Sequence, residues 1–270
     1  MVNILASLVE RLKTSKLFIV FLLVAGIGLP ILATFINVAV VQFVNEMTLE
    51  ELRYQMQLTG TSGKSLALSE ISITSIGGIF ALICAGVLAC YELKHGPVKN
   101  CILAYGRKNT FFAHALFVPI VFAILMLADI VGTAFFMAIP FGWTASGGFF
   151  QEVGEILSWL LLVVIVAVAT GTFANTFIIA IKSATGSIFA FLGAVFAFDI
   201  VVSIILPGME LSLQQSVIQW LPLYQLNNLI SKATLLGNGF LYVKTVIVCV
   251  AITGVFGFLN WLQWQKVDFK

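Results

Sequence analysis

Six apolar stretches, each long enough to cross a bilayer as a helix, constrain this chain more than any motif within it. They run approximately over 17–41, 70–91, 111–137, 153–181, 187–206 and 242–262, the fifth being the shortest. A helix rises about 1.5 Å per residue, so about 20 apolar residues cross the roughly 30 Å hydrocarbon core. Composition agrees, with 60% hydrophobic and 10% charged residues where a soluble domain carries about 25% charged. The mean hydropathy is +1.08. The expected fold is an all-α polytopic membrane protein, with six transmembrane helices forming one domain over 17–270.

Charge placement sets the expected topology. With a cytoplasmic N-terminus and six crossings, the inner side holds Arg11, Lys13, Lys16, Lys94, Lys99, Arg107, Lys108, Lys182, Lys266 and Lys270. The outer side holds only Arg53, Lys64, Lys232 and Lys244. That asymmetry follows the positive-inside rule and places both termini in the cytoplasm. Glu46, Glu50, Glu51, Glu70, Glu152 and Glu210 fall on the outer side.

Residues 1–16 carry Glu10 and three bases ahead of a stretch too long for a signal core, so they do not read as a cleavable signal. Ile4, Leu5, Leu8 and Leu12 recur at helical spacing. The segment is expected to be an interfacial amphipathic helix, with its apolar face in lipid and its bases near headgroups.

Enzymatic chemistry finds little support. The four cysteines, Cys84, Cys90, Cys101 and Cys249, form no Cys-x-x-Cys pair, and the two histidines, His95 and His114, form no zinc motif. No metal site and no Gly-x-Ser-x-Gly nucleophile elbow is visible. Residues 58–65, Leu-Thr-Gly-Thr-Ser-Gly-Lys-Ser, miss a phosphate-binding loop by one residue, because the motif needs glycine at Leu58. They lie in an outer loop and read as a flexible connector. No ATP site, and no nucleic-acid partner, is expected in this chain.

The second inner loop, from Tyr91 to His114, is short and basic. Val98, Cys101, Ile102 and Tyr105 recur with helical spacing, Pro97 suits a first turn, and Gly106 suits an end. A surface helix with an apolar face toward a partner is the expectation.

The run Glu92-Leu-Lys-x-Gly96-x-Val-Lys99, then Tyr105-Gly106, then the third stretch, resembles the loop of ABC type-2 transporter permeases. The ending Trp264-Gln-Lys-Val-Asp-Phe-Lys270 is similar to that family's terminal aromatic-basic-Asp pattern. Pro97 stands where the family usually has threonine, Asn109 near a usual arginine, and His114 where a lysine is common. The resemblance implies a coupling helix, with Glu92, Gly96, Lys99, Ile102, Tyr105, Arg107 and Lys108 forming an ATPase-docking loop. It also implies a pair of short outer re-entrant helices within 207–241. The partners implied are a cytoplasmic ABC ATP-binding subunit, a second permease subunit in a homo- or heterodimer, and membrane lipid. ATP and magnesium belong to the partner ATPase, so this chain is not itself an enzyme. The setting implied is the bacterial cytoplasmic membrane, and the nearest layouts export antimicrobial or amphipathic peptides, as in lantibiotic immunity and phenol-soluble modulin export.

Polar residues within the apolar stretches are the remaining signal. Asn37, Asp129, Asn175, Asp199 and Ser203 are candidates for a translocation path, Asp129 having the stronger claim to a structural role. A carboxylate facing lipid costs several kcal/mol, so such groups face protein or water. Export of lipids or hydrophobic drugs is an alternative, as is an ATPase-independent transporter using Asp129 or Asp199.

Overall fold

The structure, a computed structural model, describes residues 2–44, 47–48, 50–51, 53–54, 75–94, 97–142, 149–205 and 239–266. Gly96, the connector 58–65, and nearly all of 207–241 lie outside the described residues, as do the side chains of Asp199 and Ser203. The described residues form helices and no strand: α1 (Val2–Thr14), α2 (Lys16–Leu23), α3 (Leu29–Ala39), α4 (Ile76–Lys94), α5 (Pro97–Tyr105), α6 (Arg107–Phe141), α7 (Phe149–Ile181), α8 (Ala184–Ile205) and α9 (Gly239–Lys266). Five segments are long and apolar enough to cross a membrane: Lys16–Ala39, Ile76–Lys94, Arg107–Phe141, Ile156–Ile181 and Val243–Lys266. In α8 the described apolar run, Ala184–Phe198, is shorter.

The first long helix is not regular. A π-helical turn, Val24–Gly28, joins α2 to α3, and the Leu29 N–H bonds back to the Val24 carbonyl. Pro30, which has no N–H, removes the normal donor for the Gly26 carbonyl. Gly132 of α6 packs directly onto that carbonyl: a Cβ at residue 132 would overlap Gly26 O and come 2.8 Å from Pro30 Cγ. A Cβ at Gly26 would instead meet Ala128 at an ordinary 3.7 Å. Gly132→Ala is therefore expected to destabilise by about 1–3 kcal/mol, while Gly26→Ala changes stability by less than about 1 kcal/mol. Thermal unfolding of the two variants in detergent checks this, and equal behaviour would contradict the close crossing.

Bases gather at one end of the bundle. There Arg11 of α1 meets Glu92 at the end of α4, and Arg107 at the start of α6 meets Trp264 at the end of α9. Ile179 near the end of α7 packs in the same cluster as Val98, Phe111 and Trp264. At the opposite end, Thr48 and Glu51 form a reciprocal capping box: the Thr48 N–H donates to Glu51 Oε2 at 2.8 Å, and the Glu51 N–H to Thr48 Oγ1 at 3.3 Å. The Thr48 backbone N–H, and then its hydroxyl, hold the Glu51 carboxyl below its ordinary range. The box helps position Arg53, which donates to the carbonyls of Pro140 at 2.6 Å and Ile139 at 3.1 Å. These are among the last carbonyls of α6, which no helical donor reaches.

The amphipathic helix departs from expectation. Ile4, Leu8 and Leu12 of α1 are buried, at 2%, 7% and 6% exposure, in the same apolar core as α4 and α6. Their face packs against the bundle, where Leu8 and Leu12 also line a groove shared with α4 and α6. The polar residues Ser7, Glu10, Arg11 and Lys13 of α1 are exposed.

Candidate functional site

Two regions carry the residues singled out by sequence. The first is the short helix α5 at the base-rich end. Gly106, at φ +82°, turns the chain from α5 into α6, a conformation that L side chains rarely adopt. Its N–H bonds to the Ile102 carbonyl at 3.0 Å, and Asn109 Nδ2 takes the Tyr105 carbonyl at 3.0 Å. The end of α5 is thus capped from both sides of the turn.

Val98 fastens α5 to the bundle: it is buried in a cluster with Phe111, Ile179 and Trp264. Trp264 is fully buried, its indole Nε1–H donates to the Arg107 carbonyl at 3.3 Å, and its own carbonyl accepts from the Arg107 guanidinium at 2.7 Å. Phe111 lies edge-on to Trp261 at 4.9 Å between ring centroids, and His114 lies 5.3 Å from Trp264. The outward face of α5 carries Lys99, Leu103 and Tyr105, with Lys108 just beyond. Leu103 is 79% exposed.

Ile102 and Arg107 both make contacts within the bundle. Ile102 was expected on a face offered to a partner, yet it packs toward the Trp264 cluster, because the Val98–Ile102 stripe is the one that meets α6 and α9. Tyr105, singled out by spacing, is exposed as expected, and Leu103, which was not, is more exposed still. Arg107 spends one guanidinium nitrogen on the Trp264 carbonyl, so part of its charge serves the bundle itself. Glu92 has its basic neighbour in Arg11, at 3.3 Å, on a helix far back in sequence.

The second region is a small cavity of about 100 Å³ toward the opposite end, walled by α3, α4 and α6. Asn37, Ser75, Asp129 and Thr133 supply its polar lining, among Leu29, Ile36 and other apolar groups. Ser75 caps α4 by accepting the Gly78 N–H at 3.0 Å. The Asp129 carboxylate lies so closely over Gly77 that any Cβ there would overlap it. A carboxylate at the first turn of a helix meets N–H groups without helical acceptors and the positive end of the helix dipole. That environment suits a carboxyl group placed among apolar helices. An N-cap serine directly before an apolar run is a readable helix start, and Ser75 carried that signal.

The candidate path residues are not brought to one place. Asn37 and Asp129 share the cavity. Asn175, fully buried, lies on α7 one turn beyond Thr172, whose carbonyl accepts from Asn260 of α9 at 3.0 Å. The Asn175 amide atoms have no hydrogen-bond partner among the described residues. Asp199 and Ser203 sit on α8, their side chains outside the described residues. Lys244, expected among the outer bases, is in α9 and only 7% exposed.

The cysteines are free thiols, and among the described residues no three His, Cys, Asp or Glu lie close enough to hold a metal. A scan against protein-family models, a search of curated proteins and a search of solved structures each find no match to this chain.

Proposed function

We propose that this chain is the membrane permease subunit of an ATP-driven ABC exporter, with six spans and both termini in the cytoplasm. The observation that carries the reading is α5: a short helix at the base-rich end, anchored inward by Val98, presenting Lys99, Leu103 and Tyr105 outward. A surface helix rigidly tied to two long helices is what a motor needs as a lever. A separate ATP-binding subunit would dock there, closing with ATP and driving α4 and α6 through α5. Two permease subunits would flank the path, in a bacterial cytoplasmic membrane. ATP and magnesium would be handled by the partner, not by this chain. The substrate class is an amphipathic or antimicrobial peptide, which acidic outer loops and an apolar lining suit.

Purification from native membranes in mild detergent tests the proposal. The expected result is a stoichiometric ATP-binding companion that is lost on Lys99→Glu combined with Leu103→Asp. Both residues are exposed, so the variant keeps its fold and the loss reports docking. A chain that purifies alone under conditions preserving a known ABC complex, or a companion that stays on the variant, would overturn it.

A further inference from the structure

A second cavity, of about 360 Å³, opens at the base-rich end between α1, α4 and α6. Leu8, Leu12, Leu88 and Phe117 give it apolar walls, and Arg11, Ser15, Tyr91 and Glu92 supply its polar lining. It is an order of magnitude roomier than the roughly 30 Å³ of one water. Arg11 is half exposed, at 44% for its side chain, and commits one nitrogen to Glu92 at 3.3 Å. A guanidinium has five N–H donors in a planar fork, so donors remain for an anion. Lys16 stands exposed next to Ser15 and adds positive field, while Lys13 pairs with Glu10 at 3.8 Å.

We propose that this groove binds one anionic phospholipid, its phosphate on Arg11 and part of an acyl chain along Leu8, Leu12, Leu88 and Phe117. Basic pockets between helices at a membrane surface suit anionic headgroups, and lipid is the solvent already at hand for this protein. Apolar walls beside a guanidinium match a lipid and not a free anion. Glu92, 3.3 Å from Arg11 Nη1, competes with a phosphate for the guanidinium while it holds α1 in place. The inference needs only the membrane setting and is independent of any ATPase.

Native mass spectrometry of the full chain in mild detergent, with palmitoyl-oleoyl phosphatidylglycerol or the matching phosphatidylcholine, reads the site. One retained phosphatidylglycerol, preferred over phosphatidylcholine, is expected. Arg11→Gln should weaken retention about fivefold or more, whereas Glu92→Gln should leave it equal or tighter. The two variants break the same ion pair, so a purely structural role for Arg11 would weaken both alike and overturn the proposal. Equal retention of the two lipids, or displacement of phosphatidylglycerol by equimolar inorganic phosphate, would also overturn it.

Discussion

Trp264→Ala is expected to lower stability by about 3–5 kcal/mol, the range for truncating a buried large aromatic side chain. Trp264 has no exposed surface, and its ring fills the space between Val98, Phe111 and Ile179. The loss should appear as a fall of roughly 10 °C in the thermal midpoint in detergent. Trp264→Phe retains much of the ring and forfeits the indole N–H donated to the Arg107 carbonyl, so it should cost much less than the alanine variant. A local consequence separates this account from general destabilisation. Val98 shares the cluster, so the alanine variant should release α5 and quicken tryptic cleavage after Lys99, well below the unfolding temperature. An alanine variant with unchanged midpoint and unchanged cleavage would mean that α5 is not fastened through Trp264.

The long helices were legible because a hydropathy run reports removal from water. The runs at 111–137 and 153–181 became α6, Arg107–Phe141, and α7, Phe149–Ile181. The extra length of α6 was not readable, since Arg107, Lys108 and Asn109 are polar yet continue the helix from the Gly106 turn. Burial against protein and burial against lipid give the same apolar sequence, so contacts between helices stayed hidden. The stripe of α1 was read as lipid-facing for that reason. Pairings across the chain, such as Arg11 with Glu92 and Trp264 with Arg107, depend on helix rotation, which a uniformly apolar helix does not encode. The polar residues were legible as exceptions, and Asn37 with Asp129 do share a cavity. Asn175 shows the limit, since its full burial on α7 follows from packing alone.

Gly77→Ala is expected to destabilise, reversing the usual sign of a glycine-to-alanine change within a helix, which favours alanine by about 1 kcal/mol. Residue 77 lies in the first turn of α4, and the alanine methyl would occupy the position of the Asp129 carboxylate. That carboxyl group would have to leave the helix N-terminus for apolar surroundings, or push α4 away from α6. Asp129→Ala removes the obstacle, so Gly77→Ala in that background should become neutral or stabilising. The four proteins of the cycle, compared by unfolding in detergent, should show a coupling of about 1–3 kcal/mol, as residues in direct contact do. Additivity would mean that α4 yields to the methyl without disturbing Asp129. The carboxylate would then have no structural tie to α4, and its place beside Asn37 in the cavity would be its principal role. Strong coupling, by contrast, makes Asp129 the fastening between α4 and α6, the two helices that flank α5. On the proposed exporter reading, its substitution would alter transport by loosening the lever and not by changing what the path recognises.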